Sequence, residues 1–149
     1  MKKRENIHQF YINLAKQIAS RGTCLRRKIG AVLVKDGIIL ATGFNGPPSC
    51  LAHCEKCFRQ INNVQSATRL ELCRAVHAEE NALIQCAIKQ TNPQDAITYC
   101  THSPCVTCAK SLIQAKISII IYDEIYPDEL AQIMLKEAGI NLIQYKEAR

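Results

Sequence analysis

Tryptophan is absent from the 149-residue chain, and aromatic residues make up only 5% of it. Whatever core forms has to be aliphatic. Long apolar runs are missing too. The strongest, near Ile117 to Tyr122, falls far short of the roughly 18 residues a membrane-spanning helix needs, so no membrane partner is expected. The amino terminus, Met1-Lys2-Lys3-Arg4-Glu5-Asn6, is charged, and no apolar segment follows it. The sequence therefore predicts no secretory signal and a cytoplasmic location. Internal repeats, linkers and low-complexity tracts are also lacking, and the length matches the roughly 150 residues of one domain, so 1–149 reads as a single domain. A large excess of one charge is missing as well. Nineteen Lys and Arg against 13 Asp and Glu leave +6. That suits an anionic ligand and equally suits plain solubility; no nucleic-acid partner is expected from it.

Cysteine is what the chain has in abundance, with nine residues. In a reducing compartment a disulfide framework is not expected, and an odd count excludes complete pairing within one chain. The thiols are then small buried hydrophobes or metal ligands, and their spacing decides which.

The apolar pattern outlines the elements. Ile7, Phe10, Tyr11, Leu14, Ala15 and Ile18 share one face at helical spacing and predict a helix over 5–20. Two aliphatic runs, Gly30 to Val34 and Ile38 to Ala41, flank Asp36-Gly37, a strong hairpin signal. From 46 to 73 the pattern dissolves into a cysteine-rich insertion opened by Pro47-Pro48. A segment this long without regular structure needs something to pin it, and a metal is one such pin. A helix over 76–90, a strand over 95–100 and a helix over 104–114 follow, with Ser103 as N-cap and Pro104 in the first helical position. A strand over 117–122, a helix from Pro127-Asp128-Glu129 to Gly139 and a strand over 140–145 complete the order. A hairpin followed by repeated strand–helix units predicts an α/β sheet with helices on both faces.

Two short motifs carry chemistry, each at the start of a predicted helix. One is His77-Ala78-Glu79, the other Pro104-Cys105-Val106-Thr107-Cys108. Three residues apart in a first helical turn, Cys105 and Cys108 share a face. Two thiolates and the His77 imidazole can then hold one zinc ion, leaving a fourth, open position, as catalytic sites do. Such an ion lowers the pKa of its water to near 7. Glu79 would close that position if it joined the ligands, and it lies two residues along the helix, directed away from His77. Its natural work is proton transfer. Taken singly, each motif has a plainer reading: a redox or structural C-x-x-C, a chance H-x-E, a capping Ser-Pro.

With these residues the sequence resembles the cytidine/deoxycytidylate deaminase family, and within it the deoxycytidylate branch. The resemblance runs over nearly the whole chain. It takes in Gly30-Ala31-Val32-Leu33-Val34, Gly43-Phe44-Asn45-Gly46, Val76-His77-Ala78-Glu79-Glu80-Asn81-Ala82 and Thr101 through Lys110 around the second motif. It implies a three-layer α/β/α fold with a five-stranded mixed sheet, a zinc held by His77, Cys105 and Cys108, and Glu79 as proton shuttle. The activity implied is hydrolysis of dCMP to dUMP and ammonia. The C-x-x-C spacing argues against the riboflavin-pathway deaminases. Lys116 stands where relatives often have Gly, which strains the turn by roughly 1 kcal/mol if its φ is positive.

By the same resemblance Cys24, Cys54, Cys57 and Cys73 hold a second, structural zinc that pins the insertion, with Cys50 or His53 able to replace one of them. Unligated thiols are the alternative. Cys86 and Cys100 read as small core residues. For the substrate, the backbone of Ala78 and Ser103 is expected at the base edge, Asn45 at the sugar or base, Tyr122 over the base and Arg26, in Arg26-Arg27-Lys28, at the 5′-phosphate. The plain alternatives are a turn-forming Asn, a packing Tyr and a solvated charge run. The resemblance further implies a homo-oligomer, commonly a hexamer, with dCTP and dTTP as effectors. Rival activities are a cytidine deaminase, a tRNA adenosine deaminase and a non-catalytic zinc module.

Overall fold

The computed structural model describes residues 3–147. Helix α1 (Ile7–Ala19) leads into the hairpin of β1 (Gly30–Lys35) and β2 (Ile38–Phe44). Asp36 and Gly37 both take positive φ, 52° and 73°. That is what a two-residue turn needs to match the strand twist, and Asp-Gly supplies it. The short helix α2 (Phe58–Ile61) and a 3-10 turn at Leu70–Leu72 are the only helical pieces described in the insertion. Then come α3 (Ala78–Ile88), β3 (Ile97–His102), α4 (Val106–Gln114), β4 (Ile119–Glu124), α5 (Glu129–Glu137) and β5 (Asn141–Gln144). The five strands form one sheet in the order β2-β1-β3-β4-β5. β1 runs antiparallel to both neighbours, while β3, β4 and β5 are parallel, so the sheet is mixed as expected.

Strand alternation sorts the core into two layers. Ala31 and Leu33 of β1 face Ala78, Ala82 and Cys86 of α3, Leu112 of α4 and Leu135 of α5. Val32 and Val34, one residue out of step, face Tyr11, Ile12 and Ala15 of α1 on the other side. Cys86 and Cys100 are buried in the first of these layers, as expected of small core thiols. Among the described residues no helix is long and apolar enough to cross a membrane.

Lys116 does take a positive φ, 59°, just after α4. Its N–H bonds Ile113 C=O and the next amide bonds Leu112 C=O, a helix-ending pattern that glycine normally serves. Gly139, at φ 73°, performs that role after α5. The helix predicted from 104 begins two residues later, for a reason that lies in the metal centre. The insertion is closed at its neck, where Gly46 and Val76 exchange backbone hydrogen bonds of 3.3 and 2.8 Å.

Gly43 sets the seat of α3. A Cβ there would collide with the Ala78 carbonyl oxygen and lie 2.6 Å from Ala82 N. Gly43→Ala should therefore push α3, and His77 with it, off the sheet. Overpacking of this kind costs about 1–3 kcal/mol, to be read as a lower midpoint in thermal denaturation.

Candidate metal centre

His77 and Cys105 are both N-cap residues, of α3 and α4, with extended backbone (φ −74°, ψ 157° and φ −73°, ψ 170°). That conformation turns each side chain out from the helix start. It explains why α4 starts at Val106 and not at Pro104: Cys105 inside the helix could not reach across to His77. Ser103 is correspondingly not the N-cap. Its Oγ accepts instead from Tyr126 N–H at 2.7 Å. Cys108, three residues after Cys105, comes from the first turn of α4.

His77 Nδ1 lies 3.3 Å from Cys105 Sγ and 3.4 Å from Cys108 Sγ. All three donor atoms fall within 4.8 Å of one another. Zinc bonds of about 2.0–2.1 Å to nitrogen and 2.3 Å to sulfur, at tetrahedral angles, require N···S edges of about 3.5 Å. The donor set and its spacing therefore fit zinc. In the metal-free chain, Cys105 is lowered to about 4, chiefly by its hydrogen bond with Cys108 and then by that with His77. His77 is raised to about 11 by hydrogen bonds with Cys105 and Cys73. Cys108 is pushed well above the ordinary thiol range by its bond with Cys105 and by burial.

Glu79, in the first turn of α3, is 4% exposed. Its Oε2 accepts from the Cys108 thiol at 3.4 Å, so the carboxyl lies against the donor set. Burial first, and the Cys105 charge second, raise it to about 7.

A pocket opens over these groups. His77, Glu79 and Cys105 line it together with Arg26, Arg27 and Arg59, and Asn45, Ser103 and Tyr126 belong to the same wall. Ala78 is fully buried beneath it, at the start of α3. Asn45 has its carboxamide committed to the chain: Oδ1 accepts from Ile29 N–H at 2.9 Å and Nδ2 donates to Arg27 C=O at 2.8 Å. It thereby holds the segment that carries Arg26 and Arg27. Ser103 N–H donates to Glu124 C=O at 2.9 Å. Tyr122 is not brought to the pocket. It points from β4 into the core layer under α3, α4 and α5.

Arg27, Tyr126 and Arg59 line the pocket without having been singled out by the sequence. Arg27 stacks its guanidinium over the Tyr126 ring, 5.1 Å from the centroid. The Tyr126 hydroxyl accepts from Ala67 N–H at 2.9 Å, reaching from the end of β4 to the insertion. Arg59, in α2, is buried, with Nη2 donating to the carbonyls of Gln65 and Thr68 at 3.2 and 2.8 Å. Its Nε has no partner among the described residues. Arg27 carried a signal, the Arg26-Arg27-Lys28 run; Arg59 and Tyr126 carried none.

Cys24, Cys57 and Cys73 also line the pocket, and Cys54 does not. Among the described residues these four thiols do not form a second group of donors within ligand distance of one ion. Cys50 is exposed, and all nine cysteines are free thiols.

Residues 5–124 match the family profile described as the cytidine and deoxycytidylate deaminase zinc-binding region. Deoxycytidylate deaminase of Saccharomyces cerevisiae is 36% identical over 137 residues, covering 91% of this chain and 44% of the yeast protein. The chain thus spans less than half the length of that relative. Deoxycytidylate deaminase of Mycobacterium phage D29 is 34% identical over 122 residues, covering 76% of this chain and 91% of the phage protein. In structure, the chain superposes on the dCMP deaminase of cyanophage S-TIM5, in complex with dCMP and dUMP, with a TM-score of 0.82. That match has 28% identity and covers 96% of this chain and 99% of the other.

Proposed function

The chain belongs to the cytidine and deoxycytidylate deaminase zinc-binding family, and from that premise we propose that it hydrolyses dCMP to dUMP and ammonia. One observation carries this reading: a buried carboxyl beside a His-Cys-Cys donor set shares its pocket with three guanidinium groups. The donor set suits deamination of a pyrimidine; the guanidiniums suit a substrate that brings a phosphate.

Zinc, when bound at His77, Cys105 and Cys108, supplies a Lewis acid that makes water a nucleophile near neutral pH. Glu79 takes one proton from the water that attacks C4 of the base and delivers it to N3. It then takes the proton left on the new C4 hydroxyl and gives it to the departing amino group as the C4=O bond forms. The C4–N bond breaks and ammonia leaves. Burial holds the Glu79 carboxyl above a solvated one, which suits it to accept and return a proton. The Ala78 amide and the Ser103 carbonyl receive the base edge, and Asn45, its carboxamide tied to Ile29 and Arg27, shapes the wall beside the sugar. Arg26, Arg27 and Arg59 receive the 5′-phosphate. Arg59 Nε is the strongest support for that subsite, because a buried donor without a partner costs about 1–3 kcal/mol that an anionic oxygen would recover.

Deamination of dCMP, CMP, deoxycytidine, dCTP and a tRNA, assayed side by side, tests the reading; equal use of dCMP and deoxycytidine would overturn it in favour of a nucleoside enzyme. Arg26→Ala should raise KM for dCMP about 10–100-fold, the value of a charge-assisted hydrogen bond, and barely change KM for deoxycytidine. Equal effects on both would remove Arg26 from the phosphate.

The second zinc, on Cys24, Cys54, Cys57 and Cys73, is supported by three of these thiols lining one pocket. It predicts two zinc ions per chain, and a purified protein with one would end it. Exposed Ile38 and Ile39 on the edge strand β2, with Ile84 and Ile88 on α3, support self-association. Sedimentation with and without dCTP or dTTP would measure the assembly and its effectors. Nine free thiols fit a reducing cytoplasm.

A further inference from the structure

Helices α3 and α4 both start on a residue of the donor set, and neither His77 nor Cys105 caps its own helix with its side chain. The reason is chemical. An N-cap side chain has to turn its acceptor toward the second or third amide of the helix. These two turn their donor atoms toward each other instead, with Cys105 Sγ 3.3 Å from His77 Nδ1. The first turn of α4, which carries Cys108, is therefore left without the cap that would normally fix it.

Asp128 brings an acceptor from elsewhere in the chain. Its Oδ2 accepts from the N–H of Val106, the first residue of α4, at 2.8 Å. Its Oδ1 accepts from Ala131 N–H at 3.1 Å and so caps α5. The residue is only 7% exposed. One buried carboxylate thus joins two helix starts, each of which favours a negative charge. Its neighbours reinforce the grip. Ser103 N–H donates to Glu124 C=O at 2.9 Å, and Tyr126 N–H donates to Ser103 Oγ at 2.7 Å. The 124–128 strap therefore holds the turn before α4 at three points, and the Asp128 bond is the one adjoining Cys105.

We propose that Asp128 is a positioning residue of the metal centre. Its carboxylate fixes the first turn of α4 against α5, so that Cys105 and Cys108 keep the spacing an ion needs. The sequence places it only at the opening of a helix, and capping α5 accounts for one of its two oxygens. The proposal concerns how tightly the ion is held and stands apart from which nucleotide is the substrate.

The test is the zinc dissociation constant of the whole chain, measured by competition with a chromogenic chelator at a temperature where each variant is folded. Asp128→Ser keeps a good N-cap for α5, but its single short hydroxyl cannot serve both helices. It should bind zinc about 10–100-fold more weakly, the usual effect of losing a group that orients a ligand. Asp128→Ala should weaken zinc as much and lower the melting temperature further. Asn6→Ala removes the N-cap of α1, which accepts from the amides of His8 and Gln9. It should lower the melting temperature and leave zinc affinity unchanged. Zinc binding by folded Asp128→Ser within twofold of wild type, or an equal weakening in Asn6→Ala, would overturn the proposal. If Asp128→Ala does not fold, Asp128→Ser decides alone.

Discussion

Glu79→Gln lowers kcat by about 10⁴-fold, the upper end of what a positioned acid–base group contributes, and leaves the zinc content at the wild-type level. The upper end applies because one carboxyl serves every proton transfer: from water, to the ring nitrogen, to the leaving amine. The Glu79 side chain is buried against the donor set, and among the described residues no second carboxyl lines the pocket to replace it. Gln has the same shape and keeps an oxygen for the Cys108 thiol, now 3.4 Å away. The variant should therefore fold and hold metal. Ammonia release and metal analysis on the same preparation check both halves. Turnover within tenfold of wild type would remove Glu79 from the chemistry, and a parallel loss of zinc would make it a ligand.

The affinity for zinc is expected to weaken about 100-fold for each unit the pH is lowered from 8 to 7. Zinc takes neutral imidazole and thiolate. In the metal-free chain His77, at about 11, carries its extra proton at these pH values, and Cys108, pushed well above the usual thiol range, carries its own. Cys105, at about 4, has already lost its proton. Uptake therefore displaces two protons, one from His77 and one from Cys108, and each contributes tenfold per pH unit. Lower pH favours the proton-bearing, metal-free form, so the sign is a loss of affinity. Below pH 7 the Glu79 carboxyl, at about 7, also holds a proton in the metal-free state. A nearby cation drives that proton off, and the slope should steepen toward three. Chelator competition across pH 6–8, with proton release followed in weak buffer, measures it. A slope below one would contradict these protonation states of His77 and Cys108.

The two motifs were legible because their chemistry is local. Cys105 and Cys108 are one helical turn apart, and any helix there puts them side by side. The hairpin was legible in Asp36-Gly37, and the end of α5 in Gly139, since backbone with positive φ selects those residue types. The start of α4 was not, because Ser103-Pro104 is a good local start, and a tertiary demand, the reach of Cys105 to His77, moved it by two residues. The pocket wall was the least legible. In Cys57-Phe58-Arg59-Gln60 nothing local distinguishes a buried guanidinium from a solvated one. Tyr122 drew attention as the last aromatic of an apolar strand, yet strand alternation sends it into the core. The aromatic that lines the pocket, Tyr126, lies past the end of that strand, where period-two reasoning no longer applies.

The way the insertion is fastened has an evolutionary consequence. Arg26 grips it through the carbonyl of Val64 and Tyr126 through the amide of Ala67, while Arg59, inside it, ties its loop together through the carbonyls of Gln65 and Thr68. Those groups belong to the main chain, which every residue except proline provides in full. Side chains at 64, 65 and 68 can therefore drift while the wall they build keeps its shape; at 67 the positive φ of 63° restricts the choice. Selection should fall on the grippers and pass over the gripped. A saturation library would then tolerate most replacements at 64, 65 and 68, other than proline at 64 and 68, whose amides donate to Arg59 C=O and Gln65 C=O. At 67, where φ is 63°, it would tolerate chiefly Gly, Asn and Asp, whereas Arg59 and Tyr126 would tolerate few.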